Sequence, residues 1–418
     1  MRTSPNLMFL SSSAATRLGT TLLGAALLGV TACSAGDGGT AAPGTGPSAP
    51  VEQSSAQPRL VLTHDGGLTV LDGSDLATVA DFDYDGFIRA NPAGDGRHVF
   101  VSTSTGFELV DLGTWREPHD GHAHYYTAEP TRTGRTYAGA KPGHVVVHED
   151  RTTLFTDGTG EIRILDTARI GAPDALVREL RVPAHHGVAV ARADGSTVVS
   201  QPRGEKAGAL AILGADGAEI ARNGDCPGLH GEAAAADGAL TFGCTDGALV
   251  VRGDDIVKVS AAERYARLGN QAGSERSPIV LTDYKTDADA ELERPDKFAL
   301  VDTVGAGAIK VVDIDYSYSY RSLGRGPAGE ALLLGTDGAL HVIDPVSGTE
   351  RAAYPVIGAW TEPDDWQAPA PDLFVLGSTA YVTDPNSKRI LAVSLHDGTI
   401  LAERTLDDPT LELTGVTG

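Results

Sequence analysis

The chain has 418 residues, with 33 Lys or Arg against 56 Asp or Glu, a formal net charge of −23. Hydrophobic residues make up 41%, enough for a sizeable core, and a charged fraction of 21% is too small for wholesale disorder. A surface this acidic repels phosphate backbones, which argues against a nucleic-acid partner, and it suits cations.

Residues 1–32 read as an export signal. Arg2 and Arg17 precede an apolar run over residues 18–30, too short to cross a bilayer as a permanent helix. The run ends in Val30-Thr31-Ala32-Cys33, which resembles a bacterial lipobox. That resemblance implies cleavage before Cys33, a lipid on its thiol, and a mature chain on the outer face of the cytoplasmic membrane. Residues 33–58, rich in Gly, Ala, Pro and Ser, predict a flexible tether, and residues 59–418 a single domain. With Cys33 lipidated, Cys226 and Cys244 remain as an even pair in an oxidising compartment. They predict a local disulfide, since the close CxxC spacing of a zinc knuckle is missing.

The domain reads as all-β. Short runs rich in Val, Leu, Ile and Thr are broken by Asp-Gly turns, the signal for hairpins. One phrase of strand, turn and strand recurs from Val61, Val101, Leu154, Phe242, Leu333 and Tyr381, with diverged copies at residues 198–213 and 280–302. This even spacing favours a β-propeller over a pair of sandwiches or a β-helix. The first copy follows directly on the tether, so residues 59–80 are assigned to a closing blade completed by the C-terminal strands. That assignment predicts seven blades.

Histidine carries the chemistry. Of twelve, eight lie between His119 and His230. His144, His186 and His230 each lead into an apolar strand, at separations of 42 and 44 residues, one blade apiece. Equivalent positions on consecutive blades form an arc around one mouth of a propeller, so three imidazoles are expected to converge. In Asp120-Gly121-His122-Ala123-His124 the His-x-His spacing places both rings on one face of an extended chain. Three or four neutral imidazoles suit Zn2+, while ligand type alone leaves copper and nickel open. Asp120, Glu149, Asp150 and Glu232 are candidates for a fourth ligand or for acceptors that fix the imidazole tautomer. His64, His98, His341 and His396 are given no role.

The stretches His119-Asp-Gly-His-Ala-His-Tyr-Tyr, Lys141-Pro-Gly-His, Pro183-Ala-His-His-Gly-Val-Ala-Val and Cys226-Pro-Gly-Leu-His-Gly-Glu-Ala resemble motif blocks of the AztD zinc metallochaperones. The resemblance implies a propeller that holds zinc outside the cytoplasm and passes it to the solute-binding protein of a zinc ABC importer. It marks His122, His124, His186 and His230 as ligands, with His144 and His185 less firmly placed. The His-rich N-terminal segment common in that family is missing from residues 34–58. The stretch around His122 and His124 is therefore expected to act as a mobile flap over the zinc.

No enzyme is expected. His230-Gly-Glu232 is not the helical HExxH arrangement, and nucleophile-elbow, P-loop and dinucleotide-binding motifs are missing. The chain is expected to be a monomer, and the competing expectation is a lipid-anchored scaffold that binds a protein or a cell-wall glycan without metal, with Trp115, Trp360 and Trp366 as its contacts.

Overall fold

The computed structural model describes residues 49–418 apart from 205 and 306. The signal peptide, Cys33 and most of the tether lie outside the described residues. Among those described, the chain forms eight four-stranded antiparallel sheets and one three-stranded sheet, with three short 3-10 turns and no α-helix. The all-β propeller expected from the sequence is thus observed.

Each four-stranded sheet is one blade; six of the eight are built from four consecutive strands, and blade 2 has a hairpin inserted ahead of its outermost strand. Blade 1 is the other exception. Its strands Arg59–His64, Gly67–Asp72 and Thr78–Asp83 take their inner partner, Glu412–Val416, from the C-terminus, in a register that pairs Arg59 with Val416. Eight apolar cores fill the spaces between successive blades, and the last joins blade 8 to blade 1 through Leu60, Leu62, Ile390 and Leu413. The ring therefore has eight blades, not the predicted seven. Closure by both termini was read correctly, but the hairpin from Tyr381 builds a blade of its own, with four strands between Leu373 and Thr405. The closing blade borrows a single C-terminal strand, so all eight hairpin copies count.

The recurrent Asp explains how the phrase repeats. Asp72, Asp111, Asp166 and Asp302 end the third strand of their blades and Asp344 directly follows its own, and each carboxylate accepts the backbone N–H two residues on, at 2.8–3.1 Å. Burial peaks in the middle of each blade, while the axial strand is half-buried in most blades, as Pro142–His148 is. The strand Arg151–Thr156 is buried along most of its length, whereas the outermost strand Leu176–Arg181 alternates exposed and half-buried positions.

The three-stranded sheet is an insertion into blade 2. Residues 112–130 make a hairpin, Thr114–His119 and His122–Thr127, and its edge pairs with Val51–Gln53. The expected tether is thus strand at residues 51–53. Its partner lies more than seventy residues away, so local composition did not reveal the pairing. The predicted disulfide, Cys226–Cys244, is present and sits within the core between blades 4 and 5.

Deleting residues 409–418 is expected to open the ring. The strand Arg59–His64 would lose its inner partner, keeping only Gly67–Asp72, and Leu60, Val61 and Leu62, all essentially buried, would lose cover worth about 2 kcal/mol each. Thermal unfolding with light scattering should show a lower, less cooperative transition and aggregation. An unchanged melt would refute closure through this strand.

Candidate metal centre

Strand polarity brings three of the predicted ligands together. The first strands of all blades run in the same sense, and most neighbouring ones touch around the axis. His144 is third in Pro142–His148 of blade 3, and His186 lies just ahead of Ala189–Ala191 of blade 4. His230 opens His230–Ala234 of blade 5. All three rings therefore occupy one end of the molecule, with centroids 5.2–5.9 Å apart. Each offers a nitrogen within 4.8 Å of the other two, and no other group of three meets that criterion among the described residues.

Each ring is held through Nδ1. His186 Nδ1 lies 2.6 Å from Asp157 Oδ2, and His144 Nδ1 3.1 Å from Glu232 Oε2. His230 Nδ1 donates to the Gly269 carbonyl at 2.7 Å. A neutral imidazole that donates from Nδ1 keeps its lone pair on Nε2, so three acceptors select the tautomer that leaves three Nε2 atoms free for a metal. Burial and charge then divide the set. Burial works against a proton on His144, but Glu232 beside it, their hydrogen bond and Asp157 outweigh that and raise its pKa above 6.5. Burial, and then the nearby His144, push His230 down to about 4. His186 is the accessible member, its side chain 56% exposed against 23% for His144.

The His-Gly pairs have a steric cause. Gly231 stands at φ +76°, and a Cβ there would lie 2.5 Å from the carbonyl oxygen of Gly269 that holds His230. At Gly187 a Cβ would meet His185 Nε2 and Ser200 Oγ at 2.5 and 2.6 Å. His185 is itself buried, bonded through its two ring nitrogens to the Pro183 carbonyl and Ser200 Oγ and packed on Phe155. It is a core residue, and His186 is the member of that pair that joins the cluster.

His122 and His124 are not in this group. The third strand of blade 2, Gly106–Asp111, starts at the His144 end and finishes at the other, where the inserted hairpin leaves it. Thr114 Oγ1 there donates to the Gln57 carbonyl, next to the strand that begins beside Val416, the far end of its own inner strand. The base of the hairpin thus sits at the opposite end of the propeller from the triad. The expected flap over the triad is overturned by the direction of the strand that carries it.

The carboxylates divide in the same way. Glu232 touches His144, but Glu149 and Asp150 occupy the turn at the far end of Pro142–His148. There Glu149 accepts the Ala193 N–H, and Asp150 pairs with Arg151. Asp120 belongs to the hairpin turn, 3.4 Å from His119. Asp157 and Gly269 were missed. Asp157 belongs to a Thr-Asp-Gly turn like those at Thr245 and Thr336, and only its blade position distinguishes it. Among the tryptophans, Trp360 is buried and donates to the Gly335 carbonyl, Trp115 stacks on Tyr126, and Trp366 is exposed against Phe87.

No family model matches the chain. It is 24% identical to the zinc chaperone AztD of Citrobacter koseri over 339 residues, covering 78% of this chain and 77% of that protein. The crystal structure of Citrobacter koseri AztD superposes with a TM-score of 0.75 at 21% identity, over 87% of this chain and 99% of that one. The dihydro-heme d1 dehydrogenase NirN follows with a TM-score of 0.56 at 16% identity, over 85% and 74% of the two chains. The fold is shared with these structures, and the resemblance to AztD zinc chaperones read from the sequence is borne out.

Proposed function

We propose that this chain is a zinc metallochaperone that holds one ion on His144, His186 and His230 at the axial mouth of the propeller and hands it to the solute-binding protein of a zinc ABC importer. The observation that carries the reading is the set of three Nε2 atoms freed by acceptors on every Nδ1. Three imidazoles leave a tetrahedral zinc one open position. An enzyme would place a bound water there beside a tuned acid or base. A chaperone needs that position for the acceptor's first ligand, and the exposure of His186 makes it the first histidine to be displaced. Likeness to AztD, itself a zinc chaperone, supports the same assignment. The setting that goes with it is a monomer anchored through a lipid on Cys33, outside the cytoplasmic membrane.

The test is metal content and transfer. After dialysis against a weak chelator, the His186→Ala/His230→Ala variant should hold one zinc fewer per chain than the parent and deliver none to the solute-binding protein. Equal zinc in both proteins would remove the reading and favour the scaffold, with Trp366 as its exposed aromatic contact.

A second expectation concerns pH. Because the pKa of His144 is raised in the free protein, zinc must displace a proton that Glu232 helps to hold. Affinity should fall as pH drops through that raised pKa and level off above it. His230, already neutral down to about pH 4, adds nothing over the same range. Glu232→Gln should flatten the dependence near neutrality while weakening binding about 10-fold or more through loss of its orienting contact. Competition titrations with a chelating dye between pH 6 and 8 would show both effects. A Glu232→Gln profile parallel to that of the parent would refute the coupling.

A further inference from the structure

Of the three acceptors that hold the triad's rings, the Gly269 carbonyl alone is uncharged, and a buried carboxylate stands directly behind it. Residues 266–270 pass from blade 5 to blade 6 and are stitched to both. Ala266 and Leu268 donate their N–H groups to the Thr245 and Cys244 carbonyls of blade 5 at 2.9 and 3.0 Å. On the other side, Arg267 and Lys285 of blade 6 exchange backbone bonds at 2.8 and 3.0 Å. Asp283 ends the second strand of blade 6, Ile279–Asp283, and is 1% exposed. Its Oδ1 accepts the N–H of Gly269 at 2.6 Å and that of Asn270 at 3.0 Å, and its Oδ2 accepts Asn270 Nδ2 at 2.9 Å. Its own N–H donates to the Asn270 carbonyl at 3.0 Å. Three N–H donors thus converge on one buried carboxylate, and Lys285 Nζ lies 3.9 Å from Oδ2.

The Asn270 N–H and the Gly269 carbonyl belong to one planar peptide group, the N–H bonded to Asp283 and the oxygen to His230 Nδ1. We infer that Asp283 is a positioning residue for His230, acting through that peptide: carboxylate, peptide and imidazole form one hydrogen-bonded chain that keeps the proton on Nδ1 and leaves the Nε2 lone pair to the triad. Hydrogen bonds in series polarise one another, so a carboxylate on the N–H makes the Gly269 oxygen a stronger acceptor. The same bond fixes its direction, because the peptide cannot turn its oxygen away from His230 without pulling its N–H off Asp283. Each ring of the triad is then backed by an acidic side chain. Asp157 and Glu232 reach His186 and His144 directly, and Asp283 reaches His230 at one peptide's remove. The consequence for zinc rests on the proposed function, whereas the tautomer is a property of the metal-free protein.

Long-range proton–nitrogen NMR of the metal-free chain, labelled with nitrogen-15 in histidine, tests this directly, because it tells Nδ1–H rings from Nε2–H rings. Single His→Ala variants assign the three triad signals. Near neutral pH, His230 of the parent should be wholly the Nδ1–H form. Asp283→Ala should turn it into a mixture of tautomers while His144 and His186 stay as they are, a selectivity that general loosening of the fold would not show. Asp283→Asn, which keeps an oxygen for the Asn270 N–H but loses the charge, should fall between. Competition titrations of the same proteins with Zn2+ should show affinity about 10-fold lower in Asp283→Ala. If the Asp283 variants do not fold, Asn270→Ala removes only the bond to Oδ2 from a half-buried position and should move the His230 signal in the same sense by less. A His230 tautomer identical in the parent and every folded variant would overturn the role of Asp283, and so would a shifted tautomer with unaltered zinc affinity. A parent that binds no zinc would remove the proposed function, and the tautomer would still decide whether Asp283 positions His230.

Discussion

The alternation of strand direction within each blade is the constraint on which the rest depends. Four antiparallel strands per blade mean that every blade re-enters the axis at the same end, so the residue opening a first strand is carried there whatever its sequence context. His144, His186 and His230 are neighbours because they stand near that one position in three successive blades. The same rule sends an insertion after a third strand to the far end, which is where the hairpin of His119, His122 and His124 departs. One topological fact both assembles the triad and divides the histidines into two groups.

Convergence alone would make a poor metal site, because three free imidazoles can turn any nitrogen to any neighbour. What converts proximity into a directed set is the second nitrogen of each ring. Two are held by carboxylates and one by a backbone carbonyl, and the difference matters electrically. Asp157 and Glu232 bring negative charge beside His186 and His144, and on His144 that charge favours a proton, against its burial. Gly269 brings only a dipole, and His230 stays neutral. Below the raised pKa of His144, a cation entering the group meets one ring ready to bind and one that must first release a proton. The acidic residues thus add attraction for the ion and also a dependence on proton activity.

Much of this was legible in the sequence, for identifiable reasons. Asp-Gly turns and alternating apolar runs are local signals, so the hairpins and their number could be counted. The interval of about one blade between histidines is a periodic signal, which gave the triad. The number of blades was not legible to better than one, because closure depends on how many strands the C-terminus lends, a matter of long-range pairing. Asp157 was hidden because nothing local separates its turn from the other Thr-Asp-Gly turns. It matters only because the neighbouring blade brings His186 alongside. The hairpin's location was misjudged because the His-x-His spacing reports a shared face and carries no information about which end of the propeller that face occupies.

The two histidine groups also differ in what surrounds them, and that difference bears on what each can do. The triad is set into the ring, with His144 and His230 half-buried and glycines at 187 and 231 keeping the backbone close. Its geometry is fixed by eight packed blades and is costly to alter, so under the proposed function an ion would leave by exchange at the exposed His186 and not by opening of the fold. The hairpin stands off the ring on three strands, one of them only three residues long. Its face forms or loosens with the docking of that short strand, a contact far weaker than a blade core. A rigid pocket with one accessible ligand favours retention until a partner supplies a replacement. Of the two groups at opposite ends of one acidic molecule, only the triad has the construction that the proposed store of an ion would need.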